Sequence, residues 1–176
     1  MSKKIYGNLI NRINEGKNYN DDHQIHEGDD ITMYSYTDRN CYYVTKVVDQ
    51  KHIFVKRYQI CADYDLANGM GHQNWKYFKT IKDENEYMNK YFPDNDYSNY
   101  EVEEEEWVFR NNSWKSVERY SKEIVDQIKQ RDGFCWFECR NDKEQKKFDE
   151  GGEILRYSKL EPISFGVRDY YYDWGF

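Results

Sequence analysis

Apolar and polar positions alternate with two different periods along this chain, and the change of period outlines its elements. Tyr6, Leu9, Ile10 and Ile13 fall at helical spacing, which predicts a short amino-terminal helix over residues 5–16 that Gly16 can end. A polar stretch, 17–29, reads as a loose linker. Three runs then switch to a period of two or to β-branched and aromatic types: 30–36, 41–48 and 52–60. In the third run Ile53, Val55 and Arg57 share one face, with Phe54 and Tyr58 on the other. The connections Thr37–Asn40 and Asp49–Lys51 are short, so the three runs predict an antiparallel meander. A loop over 63–73 containing Gly69 and Gly71 leads to a fourth strand at 74–80.

The acidic, Asn-rich stretch 82–100 around Pro93 reads as a surface excursion. Two aromatic runs, Trp107–Arg110 and Ser113–Val117, are joined by Asn111-Asn112. Because Asn tolerates positive φ, this is a hairpin signal. The main amphipathic helix is expected over 117–131, with Val117, Tyr120, Ile124 and Ile128 as its apolar stripe and Gly133 as its stop. Residues 134–139 fit a strand or a buried turn, 142–149 a short polar helix, and 153–158 a further strand. The aromatic tail from Ile163 to Phe176 should be buried against the sheet. The expected fold class is α+β: one domain over 1–176, built on a twisted antiparallel sheet or partly open barrel, with 118–150 as an inserted helical segment.

Composition sharpens this picture. Aromatic residues make up 18% of the chain, including 18 Tyr, which argues against disorder despite 34% charged residues. Net charge is −7, so a nucleic-acid backbone would be repelled and direct DNA binding is not expected, whereas a basic protein surface would be attracted. No secretion signal or spanning apolar run is evident, so a cytoplasmic protein is expected and Cys41, Cys61, Cys135 and Cys139 should be free thiols.

The candidate chemistry is sparse. Cys135 and Cys139 lack the closer knuckle and second ligand pair of structural zinc, and His23 and His26 are distant. Buried thiols are the simpler reading. Gly69-Met70-Gly71 is too short for a phosphate cradle. The run Glu103, Glu104, Glu105 and Glu106 is either a solvated edge or an acidic stripe for docking on a basic partner. Two clusters place Arg and Asp among aromatics: Tyr36-Thr37-Asp38-Arg39, and Arg168-Asp169-Tyr170-Tyr171-Tyr172-Asp173. Arg can fork onto a phosphate or carboxylate while Tyr stacks on a ring. The alternative is that Arg and Asp pair with each other and pin the tail near Asp38 and Arg39. No metal or cofactor is expected.

These clusters carry a resemblance. The order Gly7-Asn8-Leu9-Ile10-Asn11-Arg12, then Thr37-Asp38-Arg39, then Asp65 with Asn68-Gly69-Met70, Gln73 and Tyr77, and last Gly166-x-Arg168-Asp169-x-Tyr171-x-Asp173-x-x-Phe176 resembles a group of small phage- and prophage-encoded proteins. The similarity covers residues 7–80, 101–117 and 151–176. It implies a viral origin, and it supplies no established activity and no catalytic residue. The leading expectation is a binder, not an enzyme, that inhibits a bacterial defence system by capturing a defence protein or its small nucleotide signal in the host cytoplasm. Its binding residues are expected among Tyr36, Asp38, Arg39, Gln73, Tyr77, Arg168, Asp169, Tyr171 and Asp173. A binding module of phage replication or DNA metabolism is the alternative. A third reading is a metal-dependent nuclease or phosphodiesterase using Asp38, Asp169 and Asp173.

Overall fold

The structure is a computed structural model that describes residues 24–35, 38–66, 73–94 and 102–170. The expected amino-terminal helix at 5–16 lies outside the described residues, as do Tyr171–Phe176. Among the described residues there are nine strands: β1 (Asp30–Tyr34), β2 (Arg39–Asp49), β3 (His52–Arg57), β4 (Gln59–Ala62), β5 (Trp75–Phe78), β6 (Glu105–Arg110), β7 (Ser113–Tyr120), β8 (Ile154–Lys159) and β9 (Ile163–Phe165). Seven form one antiparallel sheet in the order β8-β7-β6-β3-β2-β1-β9, and β4 and β5 form a separate hairpin. The helices are α1 (Ile81–Asn89), α2 (Lys122–Asp132) and α3 (Asp142–Asp149). None of them is long and apolar enough to cross a membrane.

The sheet is not closed by hydrogen bonds, yet its two edges come together. β8 and β9 lie at opposite ends of the strand order, but only residues 160–162 join them. So short a link reaches roughly 3.5 Å per residue, and the sheet must bend round to bring its edges within that reach. Trp114 of β7 accordingly meets Phe165 of β9 at 5.4 Å between ring centroids. Inside the bend sits the main core, with Ile31, Tyr42, Val44, Ile53, Val55, Trp107 and Phe165 at its centre. The period-two pattern put these residues on one face of their strands. The opposite face of β1 and β2 carries a second cluster, in which Cys41, Tyr43 and Tyr58 pack with Ile60, Tyr77 and Tyr170.

Several local expectations hold for identifiable reasons. Asn111 and Asn112 have φ of 53° and 55°, as a two-residue turn matched to strand twist requires. Gly133 ends α2 in the left-handed region at φ 79°, its N–H returning to the Lys129 carbonyl.

Other expectations need correction. The main helix begins at Lys122, capped by Ser121, because Ser113–Tyr120 is taken up as a strand hydrogen-bonded to β6 and β8 on its two sides. Val117 and Tyr120 therefore belong to the sheet, and Val125 is the buried residue of α2. Residues 81–89, expected as an excursion, are helical: Thr80 accepts the Asp83 N–H as N-cap, and Tyr87 is buried. The run at 52–60 breaks at Tyr58, whose N–H bonds the Cys41 carbonyl, and β4 leaves for the small hairpin. The end of the expected linker is fixed rather than loose. Ile25 is buried and exchanges two hydrogen bonds with the Gln50 side chain.

Candidate functional site

The second face of β1 and β2 is where distant parts of the chain meet. Strand pairing sets Asp30 opposite Tyr43, Thr32 opposite Cys41 and Tyr34 opposite Arg39, so these alternate positions share one surface. β9 adds Ser164 beside Thr32. At Gly166, φ is 70°, and the chain turns out of β9 and runs back across this surface as a strap over residues 166–170. Short contacts hold the strap. The Gly166 N–H donates to the Asp30 carbonyl at 2.7 Å. Thr32 Oγ1 donates to the Val167 carbonyl at 2.8 Å and accepts the Asp169 N–H at 3.1 Å. The Tyr170 N–H donates to the Tyr77 hydroxyl at 3.1 Å, and the Tyr170 ring meets Trp75 edge-on at 4.8 Å.

Two arginines serve this surface differently. Arg39 on β2 has a side chain only 8% exposed and is ion-paired with Asp169. Arg168 is 38% exposed, and its guanidinium lies over Tyr77 at 5.0 Å and Tyr58 at 5.5 Å, with the Asp30 carboxylate 4.0 Å away. Tyr58 donates to that same carboxylate at 2.7 Å. Two adjacent aromatic rings thus hold the guanidinium by cation–π contact while part of it remains in solvent. Burial raises both phenols above the usual tyrosine range. It likewise pushes the Cys41 thiol, beneath the strap, up to about 12, so Cys41 is a protonated packing residue and not a nucleophile.

The residues nominated from sequence are distributed as follows. Arg39, Tyr77, Arg168 and Asp169 converge. Gln73 stands one step away, accepting the Trp75 indole N–H at 3.1 Å. Asp38 lies at the β2 entrance, its carbonyl accepting the Ser35 N–H. Tyr36, Tyr171 and Asp173 lie outside the described residues. Asp30, Thr32, Cys41 and Tyr58 are members of the surface that sequence reading did not nominate. Period two on β1 and β2 groups Thr32 with Asp30 and Cys41 with Arg39, but nothing in the sequence aligns the two strands; the tail lies at Arg39, as the pairing alternative expected.

The acidic run does not form a single stripe. Glu103 and Glu104 are exposed, whereas Glu105 accepts the indole N–H of buried Trp107 at 2.8 Å. Glu106 is buried, held by a two-pronged Arg119 contact at 2.7 Å and by His52 at 2.8 Å. Arg119 holds its carboxyl below the usual range.

The thiols expected to be buried at 135 and 139 are half-buried, and of the two aromatics between them Trp136 faces outward. Segment 134–139 is extended. It alternates Cys135, Phe137 and Cys139 toward the protein with Phe134, Trp136 and Glu138 toward solvent. Among the described residues no group of three or more His, Cys, Asp or Glu is placed to hold a metal ion.

Comparison with protein-family models, curated proteins and solved structures found no match.

Proposed function

We propose that this is a phage-encoded binding protein that inhibits a bacterial defence system without turnover, by capturing one of its proteins or its nucleotide signal in the infected cell. The observation that carries this reading is Arg168. Arg39 is committed to Asp169, but Arg168 offers a planar cation at the surface, oriented by Tyr58 and Tyr77. Such a group recognises a phosphate or a carboxylate by two parallel hydrogen bonds. The motif order that resembles phage proteins supports the viral setting. A metal-dependent enzyme built on Asp38, Asp169 and Asp173 is less well supported, because Asp169 would have to leave its Arg39 pair to become a ligand.

The test is titration of the purified protein into a reconstituted defence response from a susceptible host. Inhibition should saturate near equimolar protein to target. Heating the complex should release either an intact nucleotide or an intact host protein. Trace protein abolishing the response while a cleaved nucleotide accumulates would show an enzyme and sink the reading.

A further inference from the structure

On the sheet face turned away from Trp107, strands β6, β7 and β8 carry cations at both ends, and only one end is neutralised. Trp107 and Ser116 face each other on the core side. Their neighbours in the alternation therefore share the outer face: Arg110 of β6, Lys115 and Arg119 of β7, and Tyr157 and Lys159 of β8. Arg119 is balanced, donating to Glu106 and to Glu153 at 2.7 Å. Arg110, Lys115 and Lys159 lie toward the Asn111-Asn112 hairpin. Among the described residues no carboxylate is ion-paired with any of these three, and Glu161, just past the end of β8, is no exception.

Two features set this corner apart from an ordinary solvated face. Lys115 and Lys159 stand directly opposite each other in the β7–β8 register, and like charges so placed destabilise a strand pair. A lysine on an edge strand guards against edge-to-edge association, which accounts for Lys159 on β8. It does not account for Lys115, because β7 is hydrogen-bonded on both sides. Nor is Arg110 left to solvent. Its guanidinium reaches across β7 and lies over the Tyr157 ring, 4.7 Å from the centroid. Tyr157 is 39% exposed and stands opposite half-buried Val117.

These groups suit one class of ligand. An anion between Lys115 and Lys159 relieves their repulsion, and an oriented guanidinium forks onto phosphate oxygens. Tyr157 and Val117 offer a base an apolar surface. The extent of the corner selects a small molecule. Along the same face a long polyanion would run into Glu106, opposite Val117, and the exposed Glu103 and Glu104 before β6, in a chain of net charge −7. A short phosphate chain needs only the corner.

We propose that Arg110, Lys115, Tyr157 and Lys159 form a binding site for the phosphates and base of a free nucleotide, separate from the Arg168 surface and independent of the reading given to it. The probe is ADP, titrated calorimetrically into the full chain at low salt, with pyrophosphate and adenosine alongside. ADP should fill a single saturable site, more tightly than either fragment. Lys115→Gln and Lys159→Gln should each weaken it at least about tenfold, as loss of a charge-assisted contact does. Arg110→Lys keeps the charge but loses the planar fork, and it should weaken ADP as well. Added salt should act in the same direction. Lys115→Gln should also raise the denaturation midpoint of the ligand-free protein, since it removes one of two opposed like charges.

No ADP binding, undiminished ADP binding in the lysine variants, or pyrophosphate bound as tightly as ADP would overturn the proposal. A lowered midpoint in Lys115→Gln would do the same, by showing that the lysine serves the fold. So would ADP binding that is lost on Arg168→Gln and kept in the lysine variants, which would place the nucleotide at the strap. Retention of a single-stranded oligonucleotide or of phosphatidylglycerol vesicles without a saturable ADP site would replace the nucleotide by another class of partner. Equimolar inhibition of the defence response with no ADP binding removes this site and leaves the binding reading standing.

Discussion

Two extended aromatic segments lie against the same sheet and face opposite ways. The strap at 166–170 turns inward: Val167 is fully buried, Asp169 is ion-paired, and Tyr170 is wedged between Trp75 and Tyr77. The segment at 134–139 turns outward, held by Phe137 alone among its aromatics while Phe134 and Trp136 face solvent. Both are rich in aromatic residues. The difference is in what lies beneath them. The strap crosses a strand face whose Thr32 and Tyr77 hydroxyls meet its backbone polar groups, so it can be buried without losing hydrogen bonds. Beneath the outward segment, Tyr120 and Phe148 accept one ring, and the rest of the helical region 121–150 is short, charged and nearly all exposed. One segment therefore completes the fold, and the other leaves two of its aromatics in solvent.

That contrast can be broken at several points. The largest effect is expected for Val167→Asp, which puts a carboxylate where the strap is fully buried. It should cost on the order of 4 kcal/mol or more, read by chemical denaturation. A loss within the range of surface substitutions would mean that the strap is not part of the cooperative fold. Arg39→Ala should come next. It leaves Asp169 without its cation and should cost roughly 2–3 kcal/mol, less than the ~3–5 of a fully buried pair because Asp169 is partly solvated. Arg39→Ala with Asp169→Ala should recover part of that loss, which a double-mutant cycle would read.

On the outward side, Phe137→Ala removes the stack with Tyr120 and should cost about 1–2 kcal/mol. Hydrogen exchange should show the loss as local opening of residues 134–149 with the sheet still protected. Global destabilisation would show that the region is no satellite.

Acid should act on the same anchor. Arg156, above all, holds the Glu144 carboxyl below its usual range. A depressed folded value means that the pair's contribution is complete above the ordinary carboxylate range and is lost as pH falls through the folded value. Local exchange at 134–149 should therefore quicken in acid before the sheet responds, and Glu144→Gln should remove that pH dependence. The smallest effect belongs to Trp136→Ala, with stability unchanged within about 0.5 kcal/mol. A larger change would mean that Trp136 packs on the fold.

How much of this was legible in advance depends on the range of the interactions concerned. The hairpin at Asn111-Asn112, the helix stop at Gly133 and the alternating strands at 30–36 and 41–48 are local signals, and local sterics and periodicity were enough to read them. Arg39, Arg168 and Asp169 stood out as polar groups among aromatics, and Tyr77 through the motif order of the resemblance. The tail cluster was expected to pair near Asp38 and Arg39, and Asp169 meets Arg39 there; that Arg168 lies over Tyr77 and Tyr58 is a contact that no spacing rule encodes. The same limit explains the misplaced start of α2. Val117 and Tyr120 sit at helical spacing from Ile124, and only hydrogen bonding to strands on both sides assigns them to the sheet.

By itself, then, the sequence determined the antiparallel meander, the Asn111-Asn112 hairpin, the helix stop at Gly133, the acidic balance and the two Arg–Asp clusters. These depend on side-chain size, charge and backbone preference within a few residues of each other. The tertiary structure alone decided that the sheet bends to bring β8 and β9 together, that Glu106 is held by Arg119 and His52 on the face opposite Trp107, and which aromatics are buried. Burial is a property of the surface an element finds to pack against: the same kind of ring is core at Trp107 and solvent-facing at Trp136 because one has Tyr42 and the closing sheet over it and the other does not.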